Sequence, residues 1–480
     1  MEHQNAWKTY SDDELAKVDE LAARYIDFIS DNKIEREIAA AAIKEAEDAG
    51  YVSLDELIEN GGHLKAGDKV WAHTHGKALI LVHLGTDPLE RGFNILGAHI
   101  DSPRLDLKQN PLYESTDLAF LDTHYYGGIK KYQWVTLPLA IHGVIAKTDG
   151  TVVPVTVGED PSDPVFVVTD LLIHLAQEQM KKDASKVVEG EALDLLVGGK
   201  PLVLDADVSK DAGEADDDRP AWEKLAEKEP VKANVLKILA EKYDVAEEDF
   251  LSAELEVVPA GRARELGFDR SMVLGYGHDD SVCAWPSLEA QLAVKDPKRT
   301  AVTILVDKEE IGSVGATGMA SNFFENTMRE IMELAGEGGE IVLRRALKNS
   351  RMLSSDVSAG VDPSYASVFE SKNAGYLHGG LVFNKYTGAR GKSGSNDASA
   401  EFVALVRRVM DDAGVVYHTC ELGKVDIGGG GTIAYLPAKY DMDVIDSGVP
   451  VLSMHAPWEV ISKADLYEAR KGYEAFLLNA

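Results

Sequence analysis

The stretch RGFNILGAHIDSPRLD, residues 91–106, is an apolar run that ends in a histidine, an aspartate and a proline. Its composition predicts a buried strand that stops before Pro103, because proline cannot continue a central strand. Side chains two residues apart in a strand point to the same face, so Asp101 is placed to hydrogen-bond the imidazole of His99. Whether this pair takes part in chemistry depends on the side chains that the fold brings beside it.

The same design, an apolar run that ends in acids or a histidine, recurs after residue 250. Helical stretches separate these runs, and strands that alternate with helices predict a largely parallel sheet covered by helices on both faces. We therefore expect an α/β domain of three layers. The runs are SMVLGYGHDD (271–280), TAVTILVDKEEIGS (300–313), SRMLSSDVSAG (350–360) and GVPVLSMHAPWE (448–459).

A region of different character interrupts this pattern. Residues 118–158 are rich in β-branched and aromatic residues with Gly and Asp-Gly turns, which predicts a meander of short strands. VTDLLIHLAQEQMKK (168–182) predicts a helix, and the acidic stretch near 205–229 predicts a mobile surface insertion. The expected domains are residues 1–105 with 255–480, and an inserted β-rich domain at 106–254.

Composition limits the classes of protein that this chain can be. A length of 480 residues exceeds the usual size of a single core, and a net charge of −32 argues against binding to nucleic acid or to anionic membranes. The polar start MEHQNAWKTYSDDE and the strand-sized apolar runs argue against a signal peptide and a membrane-spanning helix. The two cysteines, Cys283 and Cys420, fit a reducing compartment. These features predict a cytoplasmic protein.

Polar side chains follow five predicted strands, whose carboxyl ends meet in one crevice of an open α/β sheet. Taken alone, a histidine there is more often a hydrogen-bonded rim residue, and a pair of acids is more often solvated. Together, the carboxylates would repel one another without a cation. Two histidines with three carboxylates suit two zinc-like ions, and manganese or cobalt also fits such ligands. The residues are His99 and Asp101, Asp279 and Asp280, Glu309 and Glu310, Asp356, and His455.

The adjacent acids Glu309 and Glu310 favour a hydrolytic reaction at such a site. At a sharp bend, one of them can bind metal while the other reaches a water molecule. The glutamate that binds no metal would take a proton from this water as the water attacks a carbonyl, and would later protonate the departing amine. No pair of thiolate ligands is present, which argues against a purely structural zinc site.

Six motifs, in order over nearly the whole chain, resemble the signatures of the aspartyl-aminopeptidase-like members of the dinuclear zinc exopeptidases. The resemblance implies a zinc-exopeptidase-like catalytic domain and a metal-dependent aminopeptidase. This enzyme would release amino-terminal residues from short peptides, using two divalent ions per subunit. The motifs are GAHIDSPRL, GHDDSVCA, DKEEIGSVGATG, SSDVSAG, SGSNDASAE and VLSMHAPWEV.

The resemblance also implies a role for each residue at the strand ends. Glu309 would be the general base, and Asp101 would orient His99. Asp279 would bridge the two ions, and the peptide bond between Asp279 and Asp280 would be cis. The implied ligands are His99, Asp279 and Asp356 for one ion, and Asp279, Glu310 and His455 for the other.

For the inserted region, the resemblance implies dimerisation, with dimers assembling into a tetrahedral dodecamer that encloses the active sites. A histidine from this region would then reach the active site of a neighbouring subunit. The candidates are His174 and, as a second choice, His124. The alternative for either histidine is an ordinary packed or surface residue.

Substrate preference stays open between acidic and neutral amino-terminal residues. Many relatives prefer Asp or Glu, which would need a positive pocket in this acidic chain. The segment NKYTGARGKSGSN, residues 384–396, offers Lys385, Arg390 and Lys392 close to the family's binding loop. A basic, glycine-rich surface loop is the alternative interpretation.

Two other functions remain as alternatives at this point. The same metal centre could hydrolyse another amide or acyl substrate, which a panel of blocked and unblocked amines would distinguish. The chain could also be an oligomeric shell protein without catalysis, although its complete set of acids and histidines argues against that. Nuclease and phosphatase activities are disfavoured by the negative charge and by the lack of a phosphate-binding loop.

Overall fold

The computed structural model describes residues 4–204 and 220–480, which form two compact units. The second unit is Pro103–Gly261, and the first contains the chain before and after it. The predicted boundaries at 105/106 and 254/255 fall inside two strands of the second unit, Arg104–Ser115 and Ala253–Pro259. These two strands pair with each other inside the second unit. The chain therefore enters this unit before the first strand begins and leaves it after the second strand ends.

The regular elements are numbered here in chain order. The α-helices are α1 (Asp12–Asp31), α2 (Glu35–Asp48), α3 (Leu54–Glu59), α4 (Ala221–Leu225), α5 (Pro230–Tyr243), α6 (His278–Ala293), α7 (Phe323–Leu334), α8 (Glu340–Lys348), α9 (Ala400–Asp412), α10 (Tyr435–Ala438) and α11 (Lys463–Asn479). The strands are β1 (Val52–Ser53), β2 (Lys69–Thr74), β3 (Ala78–His83), β4 (Phe93–His99), β5 (Arg104–Ser115), β6 (Leu118–Tyr126), β7 (Leu139–Ala146), β8 (Val152–Val157), β9 (Val167–Val168), β10 (Leu195–Gly198), β11 (Ala253–Pro259), β12 (Arg264–Leu266), β13 (Met272–Gly275), β14 (Thr300–Val306), β15 (Arg351–Ser355), β16 (Ser358–Ala359), β17 (Leu381–Asn384), β18 (Tyr417–Thr419), β19 (Asp443–Gly448), β20 (Pro450–Val451) and β21 (Glu459–Ser462).

A nine-stranded sheet forms the centre of the first unit, in the order β1-β2-β3-β14-β4-β15-β19-β17-β18. Its four middle strands β14, β4, β15 and β19 run parallel to one another. They are buried along most of their length, as expected for strands covered on both faces. The prediction of a mostly parallel α/β sheet is confirmed.

Helices cover both faces of this sheet, and alternate strand residues point to each face. Leu79 and Leu81 of β3 pack on one side with side chains from α1, α2, α6, α9 and α11. Ile80 and Val82 pack on the other side with α7, α8 and α10. This division follows from the two-residue period of a strand. The first unit therefore has the three predicted layers.

The register of the middle strands brings their carboxyl ends to one edge of the sheet. His99, the last residue of β4, lies opposite Val306, the last residue of β14. On its other side β4 pairs in parallel with β15, where Gly97 lies opposite Ser354. The residues that follow these ends, including Asp101, Glu309 and Asp356, therefore start from neighbouring positions.

The second unit is built on a seven-stranded antiparallel sheet, in the order β8-β7-β11-β5-β6-β10-β9. Helix α5 packs on it through Val231, Ala233 and Leu236, which are buried. A mostly apolar cavity of about 620 Å³ lies among this sheet, α5 and the neighbouring loops. The predicted strand meander is thus part of a larger sheet.

The helix predicted at 168–182 is wrong. After β9 this segment forms turns and a short 3₁₀ turn at Gln179–Lys181, and the Asp170 side chain accepts a hydrogen bond from the N–H of Leu171. An amphipathic helix owes most of its stability to burial of its apolar face. Here Ile173 and Leu175 are 65% and 69% exposed, so that stabilisation is missing.

The acidic insertion predicted near 205–229 falls mostly on residues 205–219, which lie outside the described residues. The described part that follows contains the short helix α4. Cys283 and Cys420 are buried free thiols. Across residues 4–204 and 220–480, no helix has the length and the apolar character that crossing a membrane requires.

Candidate metal centre

Asp279 lies between two histidines at the edge of the nine-stranded sheet. Its Oδ1 is 3.2 Å from Nε2 of His99, and its Oδ2 is 3.2 Å from Nε2 of His455. Each carboxylate oxygen thus faces a different imidazole, which is the arrangement needed to bridge two cations. The peptide bond between Asp279 and Asp280 is cis, as the resemblance implied.

Further acids flank this central group on each side. Asp356 Oδ1 is 4.0 Å from His99 Nε2, and Glu310 Oε1 is 3.7 Å from His455 Nε2. Ligand atoms of His99, Asp279 and Glu310 lie within 4.8 Å of one another. The structure therefore brings together the ligands implied for both ions.

Asp280 belongs to this cluster, although the sequence analysis gave it no role. Ligand atoms of Asp280, His99 and Asp356 also lie within 4.8 Å of one another. The Asp280 carboxylate accepts a long hydrogen bond, 3.4 Å, from the backbone N–H of His99. Its place in the sequence, directly after Asp279, was the signal available.

The Asp101 carboxylate connects the end of β4 with the turn after β14. It accepts hydrogen bonds from the backbone N–H groups of Glu309 at 3.1 Å and of Glu310 at 3.2 Å. Its Oδ1 is 3.3 Å from Nδ1 of His99, while the backbone carbonyl of Asp101 lies closer to that nitrogen, at 2.9 Å. Asp101 therefore contacts both His99 and the Glu309–Glu310 turn, whereas the sequence suggested the histidine alone.

Glu459 is a further buried acid of the centre, and the sequence analysis did not single it out. It accepts hydrogen bonds from the backbone N–H groups of Asp279 and His455. Burial and the nearby Asp279 raise the pKa of Glu459 to about 8. Its position four residues after His455, in the motif VLSMHAPWEV, was the only sequence signal.

Burial shifts the pKa values of the acids in the centre. Burial is the largest cause that raises the pKa of Glu309, and it raises the pKa of Glu310 and Asp356 as well. For Asp279, burial acts in the same direction, but hydrogen bonds from His455 and His99 outweigh it and lower the pKa. So many carboxylates stay ionised together only if cations compensate their charge.

The donor set of the centre fits divalent cations. Glu310 Oε1 and Asp280 Oδ1 are buried and have no hydrogen-bond partner among the residues that the structure describes. Buried carboxylate oxygens are costly unless they are hydrogen-bonded or bind a cation. Imidazole nitrogens combined with carboxylate oxygens are typical zinc ligands. These open oxygens and the paired histidines therefore suit a metal centre.

The centre is closed on one side and open on the other. The His99 side chain is 1% exposed, whereas that of His455 is 34% exposed. Glu309 is half-buried, and the side chains of Glu310 and Asp356 are 3% and 12% exposed. A substrate can therefore approach from the His455 side.

The basic residues predicted for substrate binding lie outside the metal cluster. Lys385 and Lys392 both donate to Asp397, and Lys392 Nζ lies 3.7 Å from the centroid of the Tyr386 ring. Arg390 and Lys392 line a separate cavity of about 360 Å³ in the first unit. The two lysines thus share one acid.

The histidines proposed for contact between subunits belong to the second unit. His124 and His174 are both exposed. Nδ1 of His124 lies within hydrogen-bonding distance, 2.8 Å, of the backbone carbonyl of Tyr125. Their exposure leaves both available for contact with another chain.

Known proteins resemble this chain over its whole length. The model of the aminopeptidase I zinc metalloprotease (M18) family matches residues 28–477. "Probable M18 family aminopeptidase 1" of Clostridium acetobutylicum is 60% identical over 478 residues, which cover 100% of this chain and 98% of the relative. The crystal structure of aminopeptidase I from the same organism has a TM-score of 0.89 at 57% identity and covers all of both chains.

A more distant structure shares the fold. The mApe1 dodecamer of Saccharomyces cerevisiae has a TM-score of 0.74 at 18% identity and covers 95% of each chain. The family expected from the six sequence motifs is confirmed, and the comparisons give no support to the two alternative functions. The chain therefore belongs to the aminopeptidase I zinc metalloprotease (M18) family, and it is a zinc-dependent aminopeptidase.

Proposed function

We propose that the centre holds two divalent ions per subunit and hydrolyses the amino-terminal peptide bond of short peptides. The observation that carries this proposal is Asp279, whose two carboxylate oxygens each lie 3.2 Å from a different histidine. Zinc is the metal of the family, and manganese or cobalt also fits these nitrogen and oxygen ligands. The proposed ligands are His99, Asp279 and Asp356 for one ion, and Asp279, Glu310 and His455 for the other.

When bound, such ions polarise the peptide carbonyl and make water a stronger acid. Glu309 is then the general base, because it stands beside the ligand Glu310 and is left free of metal in this assignment. Its carboxylate accepts the proton of the attacking water and afterwards donates that proton to the departing amine. A pKa raised by burial suits this role, because the carboxyl group must both take up and release a proton.

Asp101 positions these groups and is not a ligand in this proposal. Its two carboxylate oxygens accept the N–H groups of Glu309 and Glu310 and so fix the turn that carries the base and a ligand. The contact with His99 Nδ1 holds that imidazole with Nε2 toward Asp279. Partners of this kind around metal ligands usually affect metal affinity and activity by about 10–100-fold.

For substrate recognition, we propose that the loop with Lys385, Arg390 and Lys392 reads the amino-terminal residue. Asp397 offsets part of the charge of both lysines, whereas no acid among the described residues forms an ion pair with Arg390. Arg390 is therefore the cation best placed to attract an acidic substrate residue. A neutral residue would contact the apolar part of the same cavity, so both preferences stay open.

We propose that the chain forms a homo-oligomer through the second unit, with dimers arranged in a tetrahedral dodecamer. The exposed side chains of Leu171, Leu172, Ile173 and Leu175 support an interface there, because an apolar patch of this kind favours association. The dodecamer of the yeast relative gives independent support. His174, within this patch, is the first candidate to reach a neighbouring active site, and His124 is the second. The free thiols favour a cytoplasmic location.

The experiment that tests the proposed chemistry is the substitution Glu309→Gln. Glutamine keeps the size of the side chain but cannot accept the proton of water, so we expect turnover to fall about 10²–10⁴-fold. Zinc content should stay at the wild-type level, because Glu309 is not a ligand. Turnover is measured with a panel of aminoacyl p-nitroanilides and zinc by elemental analysis.

The control is Glu401→Gln, which changes an exposed glutamate in the first turn of α9. It should keep both turnover and zinc. Retained turnover in Glu309→Gln would show that another group is the base. Loss of zinc from that variant would instead make Glu309 a ligand.

A further inference from the structure

Glu459 is a buried carboxylate that contacts two segments of the metal centre. It is 1% exposed. Its Oε2 accepts a hydrogen bond from the backbone N–H of Asp279 at 3.0 Å, and its Oε1 accepts one from the N–H of His455 at 2.7 Å. A single side chain therefore connects two ligand-bearing segments that are far apart in sequence.

The backbone of Glu459 is itself fixed by two pairings. As the first residue of β21 it lies opposite Gly275, the last residue of β13, from which the chain continues to Asp279. The next residue, Val460, bridges to Leu452, just before the turn that contains His455. The carboxylate consequently stands between the two turns and has little freedom to move.

We propose that Glu459 is a positioning residue that sets the spacing between the side chains of Asp279 and His455. The proposal rests on the two-ion function above, in which these residues share one ion with Glu310. A carboxylate can accept hydrogen bonds on both oxygens, whereas the amide of glutamine offers one acceptor and one donor. In Glu459→Gln, one of the two buried N–H groups loses its acceptor, and the turn that carries it shifts.

The consequence is selective between the two ions. Glu459 holds two ligands of the ion on Asp279, Glu310 and His455, whereas it holds only one ligand of the other ion, the shared Asp279. We therefore expect the zinc affinity of the Asp279–Glu310–His455 position to be about 10–100-fold weaker in Glu459→Gln, and the affinity of the other position to fall by a smaller factor. At limiting zinc kcat should fall, and saturating zinc should restore most of it with little change in KM.

The experiment titrates the metal-free full-length chain with zinc in the presence of a competing chelator. Two affinities are obtained for the wild type and for each variant, and kcat and KM are measured at limiting and at saturating zinc. Circular dichroism of the metal-free proteins checks that each variant is folded. This readout separates a loss of metal from a loss of chemistry.

Asp465→Asn is the matched control. Asp465 is also a fully buried carboxylate of the first unit, and it accepts the backbone N–H groups of His378 at 2.8 Å and Gly380 at 2.7 Å. The substitution removes the same kind of acceptor from two amides that belong to no proposed ligand. Both zinc affinities should therefore equal those of the wild type.

Several results would overturn the inference. One is a Glu459→Gln chain with both zinc affinities unchanged, and another is an equal loss in Asp465→Asn. If Glu459→Gln does not fold, Glu459→Asp replaces it, because the shorter side chain reaches only one of the two amides; unchanged affinities there overturn the inference as well. A wild type that binds fewer than two zinc ions contradicts the two-ion proposal itself, and the inference with it.

Discussion

The grouping of the candidate metal-centre residues at one edge of the sheet was largely predictable, because each lies at the end of an apolar run. His99, Glu309 and Asp356 lie at or just after the carboxyl ends of three parallel, neighbouring strands. The alternation of strands and helices in the sequence predicts that such ends meet at one edge of the sheet. Glu459 could not be recognised in this way. Its partners are backbone N–H groups, which every residue except proline carries, and a sequence motif does not reveal them.

Asp101 shows how a partly correct prediction gains detail from the structure. The spacing His99-x-Asp101 indicated a contact between the two side chains, and that contact is present. The hydrogen bonds from Glu309 and Glu310 depend on the turn after β14, about 200 positions further along the chain. A local motif carries no information about such a distant partner.

The substitution Asp101→Asn tests the positioning role at the scale of one residue. The amide group of asparagine can accept a hydrogen bond from only one of the N–H groups of Glu309 and Glu310. Because it carries no negative charge, its contact with Nδ1 of His99 is also weaker. We expect kcat to fall about 10–100-fold with a small change in KM, and zinc affinity to fall by a similar factor. Steady-state kinetics and zinc titration measure both.

Asp465→Asn again serves as the control, because it alters a buried aspartate that accepts two backbone N–H groups elsewhere in the first unit. An Asp101→Asn enzyme with the kcat and zinc affinity of the wild type would exclude the positioning role. A loss confined to KM would instead place Asp101 in substrate binding.

At the scale of elements, the sequence predicts strands between helices better than it predicts the inserted unit. Strands such as β4 and β14 are buried over every residue and have a clear apolar signal. The segment 168–182 has helical spacing of apolar residues, but Ile173 and Leu175 are exposed. The pattern alone cannot show whether a surface exists against which such a face packs.

The loop with Lys385, Arg390 and Lys392 carries the prediction about specificity. Replacing Arg390 with glutamine removes the cation that lacks an ion-pair partner among the described residues, while the two lysines keep Asp397. We expect the ratio of kcat/KM for acidic over neutral amino-terminal residues to fall about tenfold. Aspartyl and leucyl p-nitroanilides provide the two values.

Arg345→Gln is the control, because Arg345 is an exposed arginine of α8 that pairs with Glu90. It should leave the ratio unchanged. If Arg390→Gln leaves the ratio unchanged too, the loop does not read acidic residues, and the interpretation as a basic surface loop is correct.

At the scale of the whole molecule, the order of the six motifs was the most informative feature of the sequence. It predicted the family, which the match over residues 28–477 confirms, and with it the aminopeptidase activity. The net charge of −32 argued against nucleic acids and anionic membranes as binding partners, but it did not identify a ligand. Assembly depends on complementary surfaces of separate chains, which a single sequence does not display.

The most direct test of the two-ion centre is the native mass spectrum of the intact, zinc-loaded protein, which reports the number of chains and of ions together. We expect an assembly of identical chains with two zinc ions per chain. Chelation should remove both ions and stop hydrolysis, and added zinc should restore both. A fully active protein that carries one zinc ion per chain, or none, would contradict the proposed centre.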